Sequence, residues 1–309
     1  ESAPATAAEL AAGVVAAGGW PTRLCSEGGR LNGAALTSDG RRLWSAADER
    51  GAMRLRVWSV DTAQCERTHE IGVAAWAVCA HAGVVYVGAA DGAIHRFLET
   101  GAQPGERFEG GGTKPVLALE AEPRARPAWQ RDGASARERG PLLLSAGADG
   151  CVRAYELPLR ADGLGRRAIA GTRVLLDGGG ADGVTSVRAL AACQLPSEGL
   201  PGAAGRALLA GGDEGVVRAF SLRDGGGCGE AQGAPVAAGA SIHALASLGV
   251  GKAAAALDSG ALLVLRAALT QPPAHGWAFT APTVSWAAVQ LLDGHATVAW
   301  TVAAAWRQA

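Results

Sequence analysis

The feature that most constrains this chain is an internal repeat. Residues 83–97 (GVVYVGAADGAIHRF), 141–155 (PLLLSAGADGCVRAY) and 206–220 (RALLAGGDEGVVRAF) follow one plan, and 251–266 (GKAAAALDSGALLVLR) is a weaker copy. Each runs from an apolar strand through small residues to an acidic turn with glycine. A second strand of alternating apolar and basic residues then follows. The alternation in Val152-Arg153-Ala154-Tyr155 and Val217-Arg218-Ala219-Phe220 has the period of two expected of a half-buried strand. Aspartate and glycine supply the local hydrogen bonds and positive φ that tight hairpins need. Asp91, Asp149, Asp213 and Asp258 therefore read as structural turn residues. Asp39 does too, in the Ser38-Asp39-Gly40 turn of an earlier copy over 31–60.

Within that earlier copy, 34–37 and 42–46 read as strands, and a third strand ends at Trp58. The equivalent strands end at Phe97, Tyr155, Phe220 and Leu265, with Trp306 as a sixth candidate. Trp58, Phe97, Tyr155 and Phe220 are the expected core aromatics of their units. The spacing is about 40 residues where nothing intervenes, the length of a four-stranded propeller unit. The longer intervals hold Pro/Gly-rich insertions near 121–140, 158–171 and 191–205. The first and last of these interrupt a unit between its first and second strands. The organisation expected is an Ala-rich extension over 1–20 followed by one domain over 21–309.

On these residues the chain resembles the WD40 repeat family, most strongly in SDGRRLWSAADERGAMRLRVWSV within 31–60. The resemblance covers most of 22–306. It implies an all-β propeller whose blades are four-stranded antiparallel sheets around a central channel. Six blades are expected, with seven as the alternative. Outer fourth strands are expected at 64–67, 106–109, 174–177, 234–238 and 277–281, with 22–25 completing the last blade. Residues 284–306 are expected to supply inner strands. The chain departs from the family pattern in two respects. Trp58 is followed by Ser59 rather than aspartate, and the Gly-His pair survives only as Thr68-His69. The buried Asp-His-Ser-Trp network of the family is therefore expected to be incomplete in every blade.

Composition bears on function more than on fold. Against 29 acidic residues stand 28 basic ones, and only Lys114 and Lys252 of these are lysine. A net charge of -1 argues against bulk electrostatic binding of nucleic acid. Of the 45 glycines, the excess beyond the hairpin turns matches the alanine and arginine bias of GC-rich coding. The chain does not begin with methionine, which reads as a fragment or a processed product. No uncharged stretch reads as a membrane span. The six cysteines are scattered without a C-x-x-C spacing and read as buried free thiols. An intracellular site, cytoplasmic or inside an organelle, is expected.

No phosphate-binding loop, metal spacing or nucleophile elbow occurs. Glycine runs at 110–112, 178–180 and 225–227 lack a helix start with lysine and a hydroxyl. The six histidines lie in different repeats. No cofactor, metal or small-molecule substrate is expected, and no catalytic residue is assigned. The candidate partner-binding residues are Arg124, Arg126, Trp129 and Arg131 in the first insertion, together with His69. Arginine and tryptophan are the types enriched in interface hot spots. The reading is a non-catalytic protein–protein scaffold, a structural subunit of a larger complex. Its inter-blade loops, such as 25–31, 69–72, 110–114 and 178–183, would share one face. The alternatives are an RNA-contacting subunit of a ribonucleoprotein and a propeller enzyme with its site at the channel mouth.

Overall fold

The computed structural model describes residues 30–49, 52–101, 106–108, 112–122, 141–157, 172–177, 186–196, 205–222, 231–270 and 283–292. Twenty strands occur among them, and no helix. They form five four-stranded antiparallel sheets, each a meander in sequence order. Sheet one comprises β1 (Arg30–Leu36), β2 (Arg42–Glu49), β3 (Ala52–Ser59) and β4 (Cys65–Glu70). Sheet two comprises β5 (Ala75–His81), β6 (Val84–Ala89), β7 (Ile94–Leu98) and β8 (Glu106–Phe108). Sheet three comprises β9 (Val116–Glu122), β10 (Leu142–Gly147), β11 (Val152–Glu156) and β12 (Thr172–Leu176). Sheet four comprises β13 (Val187–Gln194), β14 (Arg206–Gly212), β15 (Val216–Ser221) and β16 (Val236–Ala237). Sheet five comprises β17 (Ile242–Gly249), β18 (Lys252–Leu257), β19 (Leu262–Thr270) and β20 (Thr283–Leu292).

The first strands lie side by side in chain order: β1 on β5, β5 on β9, β9 on β13 and β13 on β17. Asn32 ties the first pair, donating from Nδ2 to the Ala75 carbonyl at 3.0 Å. This arrangement explains the long apolar runs of the second strands. A second strand is central in its sheet and meets a neighbouring sheet on both faces, so both sets of alternating side chains are buried. In β6, Val85 and Val87 pack with Trp44, Leu55, Val57 and Phe97 between sheets one and two. On the other face, Val84 and Tyr86 pack with Leu143, Tyr155 and Leu157 between sheets two and three. In β14, Leu208 and Ala210 face Leu142 and Leu144 of sheet three. Leu209 faces Ile242 and Leu245 of sheet five. Trp58, Phe97, Tyr155 and Phe220 are all buried.

Four outer strands fall where the sequence places them, at β4, β8, β12 and β16. The fifth requires a correction. Residues 277–281 lie outside the described residues, and β20 is the fourth strand of sheet five, hydrogen-bonded to β19 from Leu262↔Leu292 to Thr270↔Thr283. Residues 284–292 are thus an outer strand and not an inner one. The reason is physical: apolar alternation reads the same at either edge of a sheet, and only pairing distinguishes them. The segments 1–29, including 22–25, also lie outside the described residues, as do 293–309. Residues 121–122 and 191–194 belong to β9 and β13 rather than to insertions. The cysteines differ from expectation as well. Cys151 and Cys193 are buried free thiols, whereas Cys65 is an exposed one.

Candidate protein-interaction face

A meander sorts its connections between two rims. The turns joining second to third strands share a rim with the segments that lead from one sheet to the next. The turns joining first to second and third to fourth strands lie on the opposite rim. Asp91, Asp149, Asp213 and Asp258 therefore share the first rim, and Asp39 sits on the second.

The first rim is built alike in four sheets. The turn backbone donates to the residue entering the first strand: Ala90 N–H to Ala74 O (2.7 Å), Ala148 to Pro115 (2.9 Å), Asp213 to Ser186 (3.4 Å) and Asp258 to Ser241 (2.9 Å). Asp91 and Asp149 accept from the N–H two residues on, at Ala93 (3.1 Å) and Cys151 (3.0 Å). This is the Asx turn that pins a tight hairpin. Gly92 then takes φ +82°, and a Cβ there would lie 2.2 Å from the Gly112 carbonyl oxygen. Turn and inter-sheet segment are packed that closely.

Each aspartate also carries a basic partner from a different place in the sequence. Asp91 pairs with Arg107 on β8 (3.0 Å), and Asp149 with Arg153 on β11 (2.7 Å). Asp213 pairs with Arg188 on β13, and Asp258 with His243 on β17 (3.0 Å). Burial pushes the Asp149 carboxyl up, but the Arg153 guanidinium and the Cys151 N–H outweigh it and hold the group below the usual range. Burial likewise opposes ionisation of Asp213. Its bonds from Arg188 and Ser186 prevail, and its pKa is lowered. The more exposed of these pairs, Asp91–Arg107 and Asp213–Arg188, add little to stability. Together the pairs fix a pattern of positive and negative groups on one rigid rim. Thr113 and Lys114 stand exposed on the same rim, in the segment entering sheet three.

The opposite rim differs. Asp39 is held ionised below its ordinary range by the Thr37 hydroxyl (2.7 Å) and the Arg41 N–H (2.9 Å). Ser38 donates to Glu99 at 2.8 Å, joining the turns of sheets one and two.

His69 is placed on β4, its ring half-buried and stacked on Trp44 with centroids 5.7 Å apart. Phe97 lies 5.5 Å away. Burial, reinforced by Arg67, lowers its pKa. This geometry gives His69 a packing role between sheets one and two. Arg124, Arg126, Trp129 and Arg131 lie outside the described residues. The buried Ser–Trp part of the family network is present in sheet one, where Trp58 Nε1 donates to Ser45 Oγ at 2.8 Å. Tyr155 and Ser145 make the equivalent contact in sheet three at 3.3 Å. Sequence reasoning missed the Arg188 and His243 partners, because nothing local links them to their aspartates.

One further polar cluster lies between the first strands. Glu120 and Glu122 project from β9 toward sheet four, where Arg206 of β14 pairs with Glu122. Burial first, and then the Glu122 charge, raises the Glu120 carboxyl to about 7, against a bond from the Ala192 backbone. Burial also pushes the nearby Cys79 thiol up to about 12. Among the described residues no group of three or more His, Cys, Asp or Glu is placed to hold a metal. Nor, among the described residues, is any helix long and apolar enough to cross a membrane.

The arrangement matches solved WD40 structures. The crystal structure of a mitotic checkpoint complex contains a chain that superposes with a TM-score of 0.57 at 15% identity, covering 90% of this chain and 72% of that one. The WD40 repeats of RRP9 superpose with a TM-score of 0.53 at 16% identity, covering 89% and 69%. The U3-55K structure gives 0.51 at 17%, covering 77% and 62%. No family model matches the sequence, and no curated protein matches it.

Proposed function

We propose that this WD40-fold chain is a non-catalytic scaffold for protein–protein contact and a structural subunit of a larger assembly. The observation that carries this reading is the first rim. Turns of four sheets each present an aspartate with an arginine or histidine partner, and each turn is bonded to the segment entering its own sheet. Rigid, mixed-charge surfaces of this kind select partners by electrostatic complementarity. One structural neighbour is a chain of a mitotic checkpoint complex, which is in keeping with the reading. The insertion arginines and Trp129 are a second candidate contact. The free thiols of Cys65, Cys79, Cys151 and Cys193 suit a reducing compartment.

The chain holds only two lysines, and they report on different surfaces. Lys114 lies on the first rim. Lys252 opens β18, beyond the turn at the opposite rim. Amine-directed crosslinking of the full chain in its native source should join Lys114 to partner proteins. A chain recovered with no partner at either lysine would overturn the scaffold reading. Retention on RNA that is lost in Trp129→Ala would favour the ribonucleoprotein alternative instead.

A further inference from the structure

We propose that the outer edge of sheet five takes up an extended, largely apolar segment of a partner protein that carries an acidic side chain. This refines the scaffold reading and rests on it.

Sheet edges invite pairing, and natural edges are guarded by charge or by shortness. The other outer strands follow this rule. β4 carries Glu66, Arg67 and Glu70, β8 carries Glu106 and Arg107, β12 carries Arg173, and β16 is two residues long. β20 does neither. It is ten residues long, TVSWAAVQLL, without a charge. Val284 and Trp286 anchor its first half in the core shared with sheet four. From Ala287 onward every described side chain is exposed, with Val289 at 55% and Leu291 at 54%. Among the described residues no strand pairs with its outer edge.

The acidic requirement comes from the face turned away from sheet four. Arg266 of β19 lies directly opposite Lys252 of β18 on one side and Ala287 of β20 on the other. Like charges facing each other across strands repel. Both are exposed, and neither has an ionic partner among the described residues. The small Ala287 leaves the Arg266 side chain clear to reach past β20. A strand added to that edge would lie roughly 10 Å from β19, within reach of a long side chain and its acidic partner. A second copy of β20 would bring no charge and leave the basic pair unmatched.

The test uses the full chain and two capped octapeptides of alternating threonine and valine, one with a central glutamate and one with a central lysine. Binding is read by fluorescence anisotropy. The glutamate peptide should bind about fivefold more tightly than the lysine peptide. Arg266→Glu should reverse the preference, and Val289→Lys should remove binding of both. Binding indifferent to the central charge, or surviving Val289→Lys, overturns the proposal. So does self-association abolished by Val289→Lys, which would make a second copy the occupant. Partner crosslinks at Lys114 with no peptide binding would reject this inference and leave the scaffold reading standing.

Discussion

The indole N–H of Trp58 on β3 donates to the hydroxyl of Ser45 on β2 at 2.8 Å, and both side chains are buried. The bond crosses the two central strands of sheet one diagonally, since Trp58 pairs with Leu43 and Ser45 pairs with Arg56. Ser45→Ala would leave a buried donor without its acceptor. Such an orphan costs about 1–3 kcal/mol, read as a lowered denaturation midpoint. Ser145→Ala should cost less, because the Ser145–Tyr155 contact is longer at 3.3 Å. Equal losses would refute this ranking.

Glu120 gives a pH dependence of definite sign. Its pKa rises from 4.5 to about 7 in the fold, chiefly through burial. The fold thus favours the neutral carboxyl. Its stabilising contribution is fully present below about 4.5 and is lost as pH rises through about 7. His69, His81 and His95, lowered chiefly by burial, act in the opposite direction as pH falls. Comparison with Glu120→Gln isolates the carboxyl. The variant should gain stability over the parent at pH 8 and much less at pH 4.5. A pH-independent difference in urea denaturation would sink the prediction.

Arg206 neutralises Glu122 across the joint between sheets three and four. Arg206→Ala should destabilise the chain by about 1–3 kcal/mol, more at pH 8 than at pH 5. At the higher pH the ionised Glu120 would lie beside Glu122 without the Arg206 charge. Adding Glu122→Gln should recover part of the loss. A loss independent of pH would mean that Arg206 acts only through packing.

Gly92 and Gly40 separate backbone strain from crowding. Both have positive φ, but a Cβ at Gly40 meets open space and one at Gly92 meets backbone. Gly40→Ala should cost about 1–2 kcal/mol. Gly92→Ala should cost clearly more, because the Gly112 segment must move. Thermal unfolding of the two variants decides the matter, and equal shifts would reject the crowding argument.

Much of the fold is legible in the sequence because each hairpin is local. Asp149-Gly150 and its flanking strands announce a turn without reference to any distant residue. The apolar runs of β6, β10 and β14 are legible too, since burial on both faces leaves no polar alternation. What escapes is non-local. Nothing near Asp213 points to Arg188, and nothing near His69 predicts Trp44 beneath its ring. The pairing of β20 escapes too, because residues 271–282 separate it from β19 in the sequence.

Every described sheet is made of four strands consecutive in the chain. No described sheet waits for a strand from a distant part of the sequence. During synthesis, sheet one can therefore be complete on the ribosome before sheet two emerges, and each finished sheet offers an apolar face to the next. Assembly of the described sheets can follow the order of translation, with loop-closure entropy met one hairpin at a time.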